Sequence, residues 1–386
     1  MTRQYEHLGL KRWPFPIVPE REFCTFLGDR HQLRTDLADL LTSLSRRPTS
    51  SIHLFWAWFG AGKTHTLYYL ANQATEIAKD LAKNALYTVY SEFPKAARGF
   101  LDLYRVFVLG LDTDKVVESF LEIHTSASAG LVVKNMTAAS PDLVTALKVM
   151  TTGEPSDQVT AMRWLRAEAL PISEYRRIGI AQKIGSSEEA LRILTSLIQL
   201  LELSAQSQGR PGARVIWFVD EFQRIEKTGP RTLDEINTGL HSAFNACPNG
   251  LSLCLSFSGK PRLNSLPPWF SPELRDRIGR TKVMILPPMQ PTEALGFIRD
   301  VLAQLRLPGF NGSPFFPFTK NACKLIVDEV GAKDELKPRS LMHAFNAVLQ
   351  EADPRIEAKE MDAIPPEFAK QVLAEYQVLE DGEEET

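Results

Sequence analysis

Residues 51–67 read S-I-H-L-F-W-A-W-F-G-A-G-K-T-H-T-L, and this stretch decides the fold. The apolar run from Ile52 to Trp56 predicts a strand, the small residues after it a tight turn, and the segment from Lys63 an amphipathic helix. Strand, glycine-bearing turn and helix N-terminus together make a phosphate-binding loop. The chemistry explains the residue types. Backbone N–H groups of Gly60, Ala61 and Gly62 can curl around a polyphosphate because little side-chain bulk blocks its approach, and the positive end of the helix dipole faces the anion. Lys63 supplies a point charge for the β and γ phosphates and Thr64 a hydroxyl ligand for Mg2+; His65 completes this run of candidate nucleotide-binding residues. The pattern G-x-x-x-x-G-K-[ST] is met at each fixed position except the first, where Ala57 replaces glycine.

The 386 residues suffice for two or three structural units. An apolar fraction of 44% and a charged fraction of 24% are those of an ordinary globular protein. With a net charge of −3, contact with nucleic acid would have to come from a local basic patch. No apolar run reaches the ~20 residues of a membrane span. Met1 to Leu10 shows no signal-peptide pattern, so a cytoplasmic protein without a membrane partner is expected. Cys24, Cys247, Cys254 and Cys323 form no C-x-x-C pair, which argues against a disulfide framework or a zinc site.

Outward from the loop, Pro14, Pro16 and Pro19 make Tyr5 to Asp29 an extended, aromatic-rich arm. His31 to Arg47 reads as a helix with Leu33, Leu37, Leu40, Leu41 and Leu44 on one face. The helix from Lys63 runs to Lys83 and breaks at Asn84, and Leu86 to Tyr90 is a strand. From Lys95 to Gly212 there is no clear strand signal, only helical patterns around Phe100–Leu109, Asp114–Ile123, Pro141–Met150, Gln158–Glu168 and Glu188–Gln206. A second chemical signature then appears, V-I-W-F-V-D-E-F from Val215. Val215 to Val219 is a continuous apolar run, as expected for a strand buried on both faces. Asp220 and Glu221 fall at its C-terminal end, where ligands bind in open α/β sheets. Asp220 can hold the hydration shell of Mg2+, and Glu221 can polarise an attacking water. Leu251 to Ser258 is the next strand. S-P-E-L-R-D-R-I-G-R-T-K-V-M-I-L (271–286) is an arginine-bearing helix followed by a short strand. Thr292 caps a helix from Glu293 to Leu305, Thr319 opens another, and Pro338 places Arg339 at the start of a helix to Glu351. A last helix over Pro366–Leu379 leads into the acidic tail E-D-G-E-E-E-T, expected to be disordered.

The arm H-L-G-L-K-R-W-P-F-P-I-V-P-E-R-E-F-C-T-F-L-G (7–28), followed by a helix and the phosphate loop, resembles the start of the bacterial ExeA/TniB/TnsC-type AAA+ ATPases, relatives of the origin-recognition ATPases. The whole order of arm, phosphate loop, D-E strand, polar strand end, arginine cluster and P-R lid is similar to that group. The string R-W-L-R-A-E-A-L (163–170) with R-R-I-G-I (176–180) is similar to the same region of origin-recognition-like ATPases in anti-phage BREX systems. The resemblance implies an α/β, P-loop NTPase (AAA+) fold: a three-layer parallel-sheet core with a helical insertion and a C-terminal helical lid. The expected division is an arm and helix over 1–50, a core over 51–290 with the insertion at about 95–212, and a lid with acidic tail over 291–386.

The same resemblance implies roles for further residues. Gly28, Asp29 and Arg30 would lie near the adenine. Ser258, with Ser256 as fallback, would contact the γ-phosphate or the water. Arg277, ahead of Arg275 and Arg280, would act as an arginine finger on a neighbouring subunit. Arg339 would be the lid sensor of the γ-phosphate, with Lys337 where relatives carry asparagine.

The expected function is an ATP- and Mg2+-dependent ATPase that homo-oligomerises on double-stranded DNA and recruits or regulates an effector of transposase or nuclease type, in a mobile element or antiviral defence. Lys260, Arg262, Arg275, Arg277, Arg280 and Lys282 supply a local basic run for DNA. Against DNA, only about 35 residues follow the lid arginine's helix, fewer than a winged-helix domain needs. The alternative is an ATP-driven protein-binding switch or scaffold that does not touch DNA. A nucleotide binder that does not hydrolyse is disfavoured by Glu221.

Overall fold

The computed structural model describes all residues except 1–4, 17, 19–20, 22–23, 29, 48, 81–85, 126–139, 211, 261–265, 279–281 and 384–386. Pro19 and Asp29 of the arm, the break at Asn84, and Arg262 and Arg280 of the basic run therefore lie outside the described residues. The chain divides into two compact units. One comprises Met1–Leu37, Trp58–Tyr69 and Leu286–Thr386, the other Ala38–Ala57 and Leu70–Ile285.

The second unit is built on a sheet. Strands β1 (Ser51–Ala57), β2 (Leu86–Glu92), β3 (Arg214–Asp220), β4 (Leu251–Ser258) and β5 (Val283–Ile285) pair in the order β2-β3-β4-β1-β5, each pairing parallel. The apolar run of β3 is buried along its whole length, as a strand with neighbours on both edges and helices on its faces must be. Register places Glu92 opposite Asp220, Phe55 opposite Ser256, and Ala57 opposite Ser258. The carboxyl ends of these strands thus share one edge of the sheet.

Two helices span the boundary between the units by chain continuity. They are α1 (His31–Arg46), which buries Leu33, Leu37, Leu41 and Leu44, and α2 (Lys63–Asp80). The stretch between β2 and β3 is helical as the periodicity predicts: α3 (Phe100–Gly110), α4 (Thr113–Thr125), α5 (Pro141–Thr152), α6 (Pro155–Leu165), α7 (Ile172–Arg177) and α8 (Ser187–Ser207). These helices share one apolar core with the sheet. Phe107 of α3 meets Trp217 of β3 edge to face, with ring centroids 5.0 Å apart, and Gly110 lets the end of α3 close onto β2, where a Cβ would stand 2.6 Å from the Tyr90 carbonyl. The R-W-L-R-A-E string closes a joint in this layer. Trp164 Nε1 donates to the Gln182 carbonyl at 2.8 Å, Tyr104 to that of Leu165 at 2.6 Å, and Arg163 pairs with Glu168 and Glu174. A capping box of Ser186 and Glu189 starts α8. After β3 come a 3-10 turn (Phe222–Lys227), α9 (Pro230–Ala246) and, following β4, α10 (Pro272–Ile278).

The first unit holds α11 (Pro291–Gln304), α12 (Lys320–Lys333), α13 (Pro338–Glu357) and α14 (Pro366–Glu383). Several ends differ from the sequence expectation, and α13 runs on past Glu351 to Glu357. Helix α11 begins at Pro291, capped by Gln290 and Glu293, because proline suits the first helical position and leaves Thr292 inside the first turn. Helix α14 runs on to Glu383, through the first four residues of the acidic tail. Thr319 caps α12 through the Ala322 N–H, as expected. The arm is packed into this unit: Leu8, Leu10 and Phe15 are buried among these helices, with Phe15 against Phe318 and Phe345. Trp13 Nε1 donates to Asn346 Oδ1 at 2.7 Å.

Two outcomes follow. Phe107→Ala removes a fully buried ring from the layer that covers β3, and should cost about 3–5 kcal/mol in urea-unfolding free energy. The second concerns pH. Burial, with Lys282 and Arg47 adding to it, pushes the His53 imidazole down to about 4. The unfolded chain takes up this proton near pH 6.5 while the native state refuses it, so stability falls as pH drops from about 6.5 to about 4 and levels below. His53→Gln should flatten that slope by about 1–3 kcal/mol across the window, measured by urea unfolding at graded pH.

Candidate functional site

The candidate residues fall in both units. In the first unit the chain leaves β1 at Ala57 and turns through Trp58–Gly62 into α2. Gly60 and Gly62 adopt left-handed backbone, φ 77° and 89°, which glycine alone enters without strain. Ala61 N–H donates to the Trp58 carbonyl at 3.3 Å, closing the turn. Lys63 is buried, and its ammonium donates to the same carbonyl at 2.9 Å and lies 5.8 Å from the centre of the Phe59 ring. Trp58 and Phe59 are themselves exposed. Thr64 follows as the second residue of α2.

The start of α13 lies on this loop. Arg339 N–H donates to the Gly60 carbonyl at 3.2 Å. A Cβ on Gly60 would come within 3.1 Å of the Arg339 Cβ, and one on Gly62 within 3.4 Å of the Pro338 ring. The lid's P-R pair and the loop glycines are therefore fitted to each other. Lys337 is engaged by Asp334 at 3.0 Å and Glu335 at 3.6 Å.

His65 is placed by the arm, and Arg30 by the segment before α11. His65 Nε2 bonds the Phe26 carbonyl at 2.7 Å, and burial holds its pKa below the ordinary value, against the raising effect of that bond. Arg30 is buried, donates to the Pro287 carbonyl at 2.6 Å, and has its pKa lowered by burial with Glu293 opposing. Gly28 lies under Phe297 of α11, where a Cβ would clash at 2.7 Å.

In the second unit the carboxyl ends of β2, β3 and β4 converge on Asp220. This side chain is 1% exposed. Its Oδ1 accepts the Ser256 hydroxyl and the Glu221 N–H (2.8 Å), and its Oδ2 accepts Tyr90 Oη at 3.2 Å. These donors hold the carboxylate in place as an acceptor. Glu221 has left-handed backbone, φ 57° and ψ 32°, which ends β3 sharply and starts the 3-10 turn. Its Oε2 accepts Gln223 Nε2 at 2.9 Å and lies 3.7 Å from Arg224 Nη2. Arg224 also reaches Glu92 at 3.0 Å and the Phe93 carbonyl at 2.8 Å. Of the two serines on β4, Ser256 touches Asp220, while Ser258 N–H donates to Gln223 Oε1 at 3.0 Å.

The arginines of α10 have partners within this unit. Arg277 Nη2 donates to Asn245 Oδ1, and its guanidinium lies 5.9 Å from the Phe244 ring centre. Arg275 Nη2 donates to the Pro268 carbonyl at 2.6 Å. Sequence reasoning missed Tyr90, Glu92, Gln223 and Arg224. Gln223 and Arg224 stand in plain view in D-E-F-Q-R, but only the backbone turn at Glu221 shows that they fold back on it.

Among the described residues no three His, Cys, Asp or Glu side chains cluster as a metal cage. Mg2+ is commonly held by one or two protein oxygens together with substrate phosphates and water, and needs no such cage. Glycines in left-handed conformation, an inward lysine and the helix start behind them suit a polyphosphate.

The sequence matches no protein-family model and no curated protein. Solved structures do match. The Orc1 protein of Aeropyrum pernix in complex with DNA aligns with a TM-score of 0.51 at 13% identity, over 95% of this chain and 69% of that one. The Orc2 protein of the same organism, in ADPNP–ADP complexes, aligns with a TM-score of 0.51 at 14% identity, over 90% and 67%. Cdc6p of Pyrobaculum aerophilum aligns with a TM-score of 0.50 at 12% identity, over 93% and 70%. With its parallel sheet, its strand–loop–helix phosphate motif and these AAA+ neighbours, the chain has an α/β P-loop NTPase fold.

Proposed function

We propose that the chain binds ATP with Mg2+, hydrolyses it to ADP and phosphate, and assembles with ATP as a homo-oligomer on double-stranded DNA to recruit or regulate an effector of transposase or nuclease type. The observation that carries the nucleotide reading is the loop at 58–62, with two left-handed glycines and Lys63 turned inward on the Trp58 carbonyl. Neighbours solved with DNA and with ADPNP and ADP support the reading. The mobile-element or defence setting rests on sequence resemblance alone.

In this proposal the loop and the Asp220–Glu221 pair serve one nucleotide. Lys63 exchanges the Trp58 carbonyl for phosphate oxygens, and Thr64 and Asp220 hold Mg2+, which when bound neutralises charge on the β and γ phosphates. Glu221 accepts a hydrogen bond from the attacking water and orients it. Ser256 and Tyr90 keep Asp220 in place, Ser258 marks the β4 end facing the γ-phosphate, and Arg30 and His65 support the nucleotide from the arm side. Arg339 responds to the γ-phosphate from the lid, and Arg277 acts on the nucleotide of a neighbouring copy.

The test is a set of variants measured with and without duplex DNA. Lys63→Ala should lose ATP affinity by about tenfold or more, the loss of a charge-assisted bond. Glu221→Gln should still retain ATP while kcat falls by about 100-fold or more. Trapped with ATP, Glu221→Gln should form the largest assemblies on DNA in sizing or electron microscopy. DNA affinity that drops with added salt in the ATP state, and not with ADP, supports DNA as the platform. ATP-dependent assembly with no salt-dependent DNA binding would favour the protein-scaffold reading instead.

A further inference from the structure

The left-handed backbone at Glu221 has a local consequence. By reversing the chain directly after β3, it brings the side chain two residues later back to the Glu221 carboxylate. Gln223 then makes two bonds with one amide group. Its Nε2 donates to Glu221 Oε2 at 2.9 Å, and its Oε1 accepts the Ser258 N–H at 3.0 Å. Both ends fix the amide's orientation, since a carboxylate takes only a donor and a backbone N–H only an acceptor, and a flipped amide would lose both bonds. Arg224 closes the other side, 3.7 Å from the same Oε2 and anchored on Glu92 and the Phe93 carbonyl.

A glutamate at the end of a strand has three side-chain torsions to restrain before it can aim at a water. A two-point clamp settles that entropy in advance and links the carboxylate to a second strand. Phe222, between Glu221 and Gln223, is fully buried against Phe93, Trp269 and Phe270, so the turn carrying the clamp is itself fixed.

We propose that Gln223 is the positioning residue for Glu221 in ATP hydrolysis, coupling the water-orienting carboxylate to the backbone at the end of β4. The assignment rests on the reading of Glu221 given above. Gln223 touches no reacting atom in this scheme and acts through Glu221.

The experiment compares Gln223→Leu and Gln223→Glu in the wild-type chain and in Glu221→Gln. Leucine keeps bulk and loses both bonds; glutamate keeps an acceptor for Ser258 N–H and sets a second negative charge against Glu221. Both should lower kcat by about tenfold or more, as misplacement of a catalytic group does, with KM and the ADP affinity unchanged within twofold. In the Glu221→Gln background neither should lower the residual rate further, because the two residues act as one unit. A merely structural role would instead reduce the rate by the same factor in both backgrounds and lower the melting temperature. If leucine prevents folding, the glutamate variant gives the same readout. A kcat that is unchanged or raised in both variants, or an equal loss in both backgrounds, overturns the proposal. An inactive Glu221→Gln alongside fully active Gln223 variants would sink the positioning role alone. A Glu221→Gln enzyme as fast as the wild type would sink the reading of Glu221 and the positioning role with it.

Discussion

A carboxylate 1% exposed to solvent has lost its water and must be given partners, or it costs several kcal/mol to keep charged. Asp220 meets that requirement with donors that include Ser256 on β4, Tyr90 on β2 and its own neighbour's N–H. The demand of one buried group thereby ties the carboxyl ends of three adjacent strands together. The parallel register that sets Glu92 beside Asp220 is what makes this affordable, because it delivers side chains from different strands to the same edge. The sharp exit of β3 at Glu221 follows from the same point, since the Glu221 N–H is used on the Asp220 carboxylate.

The phosphate loop answers a different constraint. Its backbone has to turn within five residues between a strand and a helix while keeping side chains out of the concave face. Left-handed glycines at 60 and 62 do this, and their lack of Cβ has a second use, since Arg339 and Pro338 of the lid rest against the spaces that side chains would fill. A substitution at Gly60 would therefore be penalised twice, once by its φ and once by the 3.1 Å approach to Arg339. The arm strengthens the same unit from the other side, through His65 on the Phe26 carbonyl and Phe15 among the lid helices.

Much of this was legible in the residues themselves. The two signatures, 51–67 and 215–222, combine strong periodicity with chemistry found in few other contexts, and the strands and loop stand where they predict. Short strands and the Thr319 cap are local properties, so local sequence was enough for them. What escaped notice depends on long-range register or backbone reversal. Tyr90 lies 130 positions from Asp220, and no pattern in β2 announces that its hydroxyl will cross to β3. Ser256 and Ser258 are two residues apart and share one face of β4, so the choice between them is one of register: Val219 pairs with Leu255, which sets Asp220 level with Ser256. The helices between β2 and β3 are legible from their periodicity, but nothing in it reveals that Phe107 and Trp217 share a core.

The departure at Ala57 has a physical account in the same terms. Glycine is required where the backbone enters the left-handed region or where another group must approach within Cβ distance. Ala57 meets neither condition. It is still the last residue of β1, in parallel register with Ser258, and its carbonyl accepts the Gly259 N–H at 3.1 Å. Its methyl group is fully buried, so the position is occupied by packing where the usual motif leaves a bare backbone. The conformational demand falls instead on Gly60 and Gly62, and at both of those the sequence does have glycine. The first fixed position of the motif is thus relaxed in this chain because Ala57 still belongs to β1 and the turn begins only after it.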